Sequence, residues 1–237
     1  MSHYPTTPVP IQPRAPDSRR RRWWLVVVIV LVVLLGVFVI GDRVAKAYTE
    51  NRVAQQMQSQ GFNGTKPNVS ISGFPFLTQL IGRDFHNVDI SADKVDEGPV
   101  QITSLNATLQ NVRINKSFSG GTVDYLTGTA LITFAALVKA AGVPSVSVSA
   151  AGGHEIKIAV DLNVISGTAI ARVTQAGGNK IQVQVISAEG IPADLLDPLN
   201  FTVTVPNLPL GMTIQNVTIS SQGVIIHVTG TNVPFSQ

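Results

Sequence analysis

Residues 156–162 read Ile-Lys-Ile-Ala-Val-Asp-Leu, with a large aliphatic side chain at every second position. Side chains of a β-strand point alternately to its two faces, so this period of two predicts a strand with one covered face and one wet face. Gly152-Gly153 before the stretch and Ser166-Gly167 after it predict hairpin turns. The stretch therefore predicts antiparallel sheet structure.

The same period recurs on both sides, from Asn68 almost to the C-terminus. The alternating positions are Val69 and Ile71; Val88, Ile90 and Ala92; Ile181, Val183 and Val185; Phe201, Val203 and Val205; and Val224, Ile226 and Val228. Residues 129–141 differ, because Leu131, Phe134 and Val138 recur at helical spacing, with Thr127 as the predicted N-cap. A second helix is predicted over about 43–60. The expected fold is α+β, a long curled antiparallel sheet wrapped on helices.

The N-terminal region predicts one membrane span. Four arginines (Arg19–Arg22) precede the uncharged stretch 23–40, which is 18 residues long. As a helix this stretch is roughly 27 Å long, close to the thickness of the bilayer hydrocarbon. The arginine excess places residues 1–22 in the cytoplasm as a disordered leader, 23–41 as a signal-anchor and 42–237 outside as one domain. The alternative is a signal peptide cleaved near Ala47, which also exports the domain.

The charge distribution argues against nucleic-acid binding. The net charge is +3, but residues 1–22 alone contain five arginines and one aspartate. The domain is therefore weakly acidic, and its bases are scattered instead of forming the clustered basic face that nucleic acid requires. Charged residues make up only 13% of the chain, against about 25% in an ordinary protein. Such a domain is either tightly packed or exposes unusual apolar surface.

No catalytic or metal-binding pattern stands out. The histidines, His3, His86, His154 and His227, are far apart in sequence, and cysteine is absent. Zinc-ligand spacing, a nucleophile elbow and a phosphate-binding glycine loop are all missing from the sequence. The sequence therefore predicts no enzyme, no metal and no cofactor.

The connection at residues 72–82, Ser-Gly-Phe-Pro-Phe-Leu-Thr-Gln-Leu-Ile-Gly, is unusually apolar for a link between two strands. One interpretation is a short helix that closes one end of the core. The other is an apolar lip at the mouth of a lipid-holding cavity, with the predicted helix 129–141 as one wall. The candidate lipid-binding residues are Phe74, Phe76, Leu77, Leu80, Leu131, Phe134 and Val138. Residues 206–212, with Leu208, Leu210 and Met212, form a similar apolar segment.

Two segments carry a family resemblance. The run Val69-x-Ile71-x-Gly-Phe-Pro-Phe-Leu-Thr-Gln79 and the closing segment from Leu208 to Gly230 resemble the LmeA-like phospholipid-binding family. The resemblance implies an exported envelope protein with a tubular lipid-binding fold, in which a curled sheet wraps a long helix and encloses an apolar groove. It also implies binding of phosphoinositide-type lipids and a part in mannan elongation on lipid-linked glycans, without a catalytic motif.

The expected function is non-enzymatic, extracytoplasmic binding of phospholipid or lipid-linked glycan in cell-envelope assembly. Few charges and one apolar sheet face suit acyl chains, which gain about 0.8 kcal/mol per buried CH₂. The first alternative is an extracytoplasmic scaffolding or interaction domain whose sheet face is filled core. The second is an enzyme of unrecognised type.

Overall fold

The computed structural model describes residues 18–59, 66–97, 100–141, 146–162, 165–193, 196–204 and 212–236. The chain divides into two compact units, Met1–Gly41 and Asp42–Gln237. In the first unit the described residues belong to helix α1 (Ser18–Ser59), whose apolar side chains between residues 23 and 40 are mostly exposed. Residues 1–17 of the predicted leader lie outside the described part. The helix begins at Ser18, inside that predicted leader.

The described part of the second unit contains the rest of α1, two short helices and eleven strands. The helices are α2 (Phe76–Gly82) and α3 (Phe134–Ala141). The strands are β1 (Asn68–Ser72), β2 (Asp84–Glu97), β3 (Val100–Ile114), β4 (Gly120–Thr133), β5 (Val146–Gly152), β6 (Glu155–Leu162), β7 (Ile165–Gln175), β8 (Lys180–Glu189), β9 (Phe201–Thr204), β10 (Thr213–Ile219) and β11 (Gly223–Ser236). A 3₁₀ turn at Asp197–Leu199 precedes β9.

The strands form two antiparallel sheets. The first has six strands in the order β1-β2-β3-β4-β11-β10, and the second has five in the order β5-β6-β7-β8-β9. The predicted α+β class with an N-terminal apolar helix is confirmed. The single long sheet is replaced by two, because α3 interrupts the chain after β4 and the next five strands pair among themselves.

Two apolar clusters fill the second unit. The sandwich core lies where β10 and β11 meet the second sheet, and its buried members are Phe134, Ile156, Ile158, Ala169, Ala171, Val173, Ile181, Val183, Ile214, Val217, Val224 and Ile226. The end core lies against α1 and α2, and its buried members are Ile71, Phe76, Phe85, Val112, Val123, Leu126 and Val233. Each cluster collects the alternating aliphatic positions of several strands, as the period of two requires.

The alternation of the six-stranded sheet changes phase along one line. On β4 both Val123 and Leu126 are buried, three residues apart instead of two. The same spacing occurs on β2, β3 and β11, where Asn111 and Asn232 adopt the left-handed conformation with φ of 53° and 50°. Asparagine tolerates this conformation better than most residues. Because the change falls at the same level in four strands, residues on both sides of the line reach the end core.

The predicted helix 129–141 begins later than expected. Residues 127–133 belong to β4, where all of them pair with β11 and residues 127–131 also pair with β3. Two neighbouring strands override the helical spacing of the apolar residues, and the N-cap is Thr133, whose Oγ1 accepts the Ala136 amide at 3.3 Å. Ser166-Gly167 lies within β7 and is not a turn. Leu208, Leu210 and Gln60, the last residue of the predicted helix 43–60, lie outside the described residues.

Candidate functional site

The apolar connection of residues 72–82 is a rigidly held cap on the end core. Gly73 has φ of +110°, and a Cβ there would lie 2.3 Å from Nε2 of Gln79. The buried Gln79 side chain donates from Nε2 to the Ser72 carbonyl at 3.3 Å, and its Oε1 accepts the His86 amide at 3.2 Å. The absence of a side chain at Gly73 therefore leaves space for the Gln79 side chain, which links Ser72 before α2 to His86 after it.

Helix α1 supplies the acceptor that the start of α2 lacks. Pro75 occupies the N-cap position of α2 and makes no side-chain cap. The Leu77 amide instead donates to Oδ1 of Asp42 at 2.7 Å, and Asp42 is only 1% exposed. Eight residues further along α1, Oε1 of Glu50 accepts the Ile71 amide at 2.7 Å. Two carboxylates thus fix this part of α1 to the edge strand β1 and to α2.

Four predicted site residues lie in the connection itself. Phe76 is fully buried in the end core, with its ring centroid 6.1 Å from that of Phe85, and Leu80 packs half-buried against the same cluster. Leu77 is half-buried. Phe74 is exposed, with the Arg43 guanidinium 5.6 Å from its ring centroid. The connection therefore contains a short helix that closes the core and also an exposed apolar ring.

The other three predicted site residues are not brought together with these. Phe134 belongs to the sandwich core and Val138 is half-buried on α3. Leu131 lies on β4 between Ala130 and Ile132, so it points to the opposite face of the sheet from Ile132, which packs against the sandwich core. The prediction placed Leu131, Phe134 and Val138 on one helix, but the helix begins only at Phe134 and Leu131 belongs to β4. Asp42 was missed, because its sequence position indicates only a charge flanking the apolar segment.

A track of half-buried aliphatic side chains lies on the inner face of the six-stranded sheet. It consists of three successive cross-strand pairs of β2, β3 and β4. The pairs are Val88 with Leu109, Ile90 with Ala107, and Leu105 with Ala130. We call these six residues the apolar track. Val88 and Leu109 pack against the end core, and the other four belong to neither core cluster.

Small residues keep the middle of the track shallow. Ala107 pairs with Gly128 on β4, and Ala130 follows two residues later on the same face. A Cβ at Gly128 would lie 2.9 Å from Cγ2 of Val228, its partner on β11. The small side chains of Ala107 and Ala130 are both partly exposed, and larger aliphatic side chains at these two positions would occupy more of the inner face.

The opposite face of the same sheet bears a shallow polar groove of about 400 Å³. Its side chains come from five adjacent strands. Ile90, Ala107, Gly128 and Val228 line the groove together with ten polar residues, which are Asn68, Ser70, Asp89, Ser91, Asn106, Thr108, Thr127, Thr129, His227 and Thr229. Asp89 is the one acidic group in this set, and it accepts a hydrogen bond from Thr108 Oγ1 at 2.8 Å. We call these ten residues the polar groove.

The described histidines have separate surroundings. A ring nitrogen of His86 lies 3.2 Å from Gln79 Oε1, Nδ1 of His154 lies 2.9 Å from the Val217 carbonyl, and Nε2 of His227 lies 3.2 Å from Thr218 Oγ1. Within the described ranges, no group of three or more His, Cys, Asp or Glu residues is placed to hold a metal ion. Each of these three histidines therefore has a different hydrogen-bond partner.

The N-terminal helix meets the requirements of length and composition for a membrane span. The qualifying stretch lies within Trp23–Gln58, and a signal sequence meets the same requirements.

Comparison with known proteins gives one match. The family model described as LmeA-like phospholipid-binding matches residues 40–229, which include α2, the apolar track and the polar groove. Neither a curated protein nor a solved structure was matched. The family model covers most of the chain and nearly all of the second unit, and the chain belongs to the LmeA-like phospholipid-binding family.

Proposed function

We propose that residues 42–237 bind a phospholipid outside the cytoplasm, without catalysis, as part of cell-envelope assembly. Residues 1–22 form a cytoplasmic leader and residues 23–41 a retained anchor. The observation that carries the proposal is the apolar track, because half-buried aliphatic surface between two filled clusters is suited to an acyl chain. The family assignment supports phospholipid as the ligand class.

The track offers a defined gain for an acyl chain. From Leu109 to Leu105 along β3 its length is roughly 13 Å, at about 3.3 Å per residue. Each methylene that moves from water to this surface contributes about 0.8 kcal/mol. Two lost methylene contacts weaken binding by about tenfold, since 1.4 kcal/mol corresponds to a factor of ten. Small changes in the depth of the track therefore have measurable effects.

Three residues of the predicted lip keep their role in this proposal. Phe74, Leu77 and Leu80 border the end of the domain where α2 lies, and Leu80 packs against the cluster that Val88 and Leu109 adjoin. Val138 on α3 is half-buried and remains a candidate wall residue. We assign no lipid contact to Phe76 and Phe134, which are buried in the cores, or to Leu131, which faces the other side of the sheet.

Lipid content tests the proposal directly. The full chain is purified in mild detergent, and the lipid that it retains is identified and counted by mass spectrometry. Ala107→Leu fills the track and should lower retained phospholipid by about tenfold or more. The matched control is Ala151→Leu, the same change at an exposed position of β5, which should leave it unchanged. Equal lipid in both variants, or none in the parent chain, contradicts the proposal.

The location of the domain has its own test. Alkaline phosphatase fused after Gln237 should be active, because the arginines before the span remain in the cytoplasm. N-terminal sequencing of the membrane-bound protein distinguishes a retained anchor from cleavage near Ala47. A fused green fluorescent protein that matures efficiently without export would show the opposite orientation.

The polar groove favours lipid-linked glycan as a second candidate ligand. Hydroxyl and amide groups from five strands, with one carboxylate, suit the many hydroxyl groups of an uncharged sugar better than a phosphate. Thr108→Lys, on the groove side of β3, should weaken binding of short mannose oligosaccharides measured by calorimetry. Its control is Thr202→Lys on the exposed strand β9. Absence of measurable binding to the parent chain removes this candidate and leaves the phospholipid proposal intact.

A further inference from the structure

Three exposed large apolar side chains lie at one end of the six-stranded sheet. Ile81 on α2 is 78% exposed, Phe74 is 56% exposed and Phe118, in the turn between β3 and β4, is 51% exposed. The Ile114 amide, at the end of β3, donates to the Arg83 carbonyl just after α2 at 2.9 Å. That bond places the β3–β4 turn beside α2. We call Phe74, Ile81 and Phe118 the apolar rim.

The turn holds Phe118 outward in a costly conformation. Phe118 has φ of 56°, in the left-handed region that bulky residues rarely adopt. Asn115 fixes the turn, because its carbonyl accepts the Phe118 amide at 3.1 Å and its Oδ1 accepts the Ser119 amide at 3.0 Å. Tips of such turns are normally polar. An exposed phenylalanine held in this way indicates a contact surface.

The chain connects this end of the sheet to the anchor. Asp42 follows the apolar segment 23–40 with one residue between them, which is at most about 7 Å of extended chain. The Asp42 carboxylate accepts the amide of Leu77 in the first turn of α2. The second unit therefore begins at a residue that is bonded to the first turn of α2.

Basic side chains accompany the rim. The Arg43 guanidinium lies over the Phe74 ring, and Lys116 is two residues before Phe118 in the same turn. Aromatic residues with arginine or lysine are typical of the membrane–water interface, where the rings sit at the headgroups and the cations reach the phosphates. A lipid surface matches both features of the rim.

We propose that the apolar rim inserts into the outer surface of the bilayer and holds the end core there, so that phospholipid enters the domain directly from the membrane. This inference rests on the proposed function, since it takes the anchor to be retained and the ligand to be a membrane lipid. It goes beyond that function by naming the surface of entry. Phe74, Ile81 and Phe118 are lipid contacts of the docked domain.

Spin labelling tests the docking. The chain has no cysteine, so Ile81→Cys and Phe118→Cys can each carry one nitroxide in the full chain, reconstituted in vesicles of phosphatidylcholine and phosphatidylglycerol. The control is Ile186→Cys, a similarly apolar exposed position on β8 of the other sheet. Collision with oxygen should dominate over collision with a water-soluble nickel chelate at positions 81 and 118, but not at 186.

Other outcomes overturn the inference. A water-like ratio at both rim positions shows that the rim lies in solvent. Low accessibility to both reagents together with dipolar broadening shows a second copy of the chain on the rim. Retained lipid is counted on the same preparations in mild detergent, before reconstitution. Lipid present with a water-like rim refutes the docking alone, whereas an inserted rim without lipid refutes the proposed function alone.

Charge substitution supplies a kinetic test. Ile81→Asp alters an exposed side chain and should leave the fold intact, but it should slow the uptake of fluorescent phosphatidylglycerol from vesicles. The amount bound at equilibrium should match that of the parent chain. Ile186→Asp should change neither quantity. Uptake at the parental rate in Ile81→Asp contradicts entry through the rim.

Discussion

The two cores of the second unit are built from different kinds of contact. Strands of the two sheets supply nearly all of the sandwich core, which requires little beyond alternating aliphatic residues. The end core also needs α1 and α2, and buried polar side chains hold those helices in place. Hydrophobic periodicity is sufficient for the first core, whereas the second depends on individual hydrogen bonds to backbone amides.

The largest expected loss of stability follows the removal of a buried phenylalanine from either core. Phe76→Ala should lower the free energy of unfolding by about 3–5 kcal/mol, because a fully enclosed ring leaves a cavity. Phe134→Ala is the matched change in the sandwich core. Its ring retains slight exposure, so its loss should be at the low end of that range. Thermal melts of the full chain in detergent, followed by circular dichroism, measure both.

A small effect of Phe76→Ala would show that the end core is a cavity and not a filled core. If Phe76→Ala costs less than about 1 kcal/mol, the ring does not contribute to a filled core. The end core would then itself be the lipid cavity, and the role of Phe76 as a lipid contact would be restored.

The cost of a larger side chain distinguishes the apolar track from a filled core. Ala171 is fully buried in the sandwich core, so Ala171→Leu should destabilise the protein by about 1–3 kcal/mol. The same substitution at the half-buried Ala107 should cost less than about 1 kcal/mol, because the track has room for it. Chemical denaturation of the two variants decides. Equal losses would mean that the track is as closely packed as the sandwich core.

The carboxylate of Asp42 tests how far the end core relies on hydrogen bonds. Asp42→Ala removes the acceptor for the Leu77 amide and should cost about 1–2 kcal/mol. Asp42→Asn keeps an oxygen acceptor of the same shape and should recover most of the loss. Melting temperatures in detergent give the comparison. A variant with alanine that is as stable as the one with asparagine would show that the bond is dispensable.

An effect of the size expected for Asp42→Ala lies at the line where the alternation of the six-stranded sheet changes phase. Asn111→Val should destabilise by about 1–2 kcal/mol, because a β-branched residue is strained at positive φ. Asn111→Gly should stay within about 0.5 kcal/mol of the parent, since glycine adopts this conformation freely. Denaturant midpoints compare the two. A stable valine variant would indicate that the strand straightens at that position.

Periodicity predicts those parts of the fold in which one residue type repeats. The alternation at residues 156–162 and 224–228 indicates strands, and both stretches are strands. It cannot say which strands share a sheet, because pairing is a long-range property. It also fails at residues 129–133, where the apolar spacing fits a helix but pairing with β11, and with β3 as far as Leu131, holds the chain extended.

The candidate site is less accessible to sequence reasoning. The Gly-Phe-Pro-Phe-Leu-Thr-Gln run stands out by its apolar density, yet which of its rings is buried depends on α1 and Gln79. Asp42 and Phe118 carry no sequence signal of their own, since an aspartate after a span and a phenylalanine in a turn are each common. Contacts between distant segments give them their roles.

The line at which the alternation changes phase also determines where the six-stranded sheet tolerates insertions during evolution. Elsewhere in a strand, one inserted residue turns every following side chain to the wrong face. At Asn111 and Asn232 the strands already contain an irregular residue. An insertion or deletion there alters a local bulge, and the side chains of the strand on either side of it keep facing the same side of the sheet. Homologous chains should therefore differ in strand length at this level of the sheet more often than within the halves on either side.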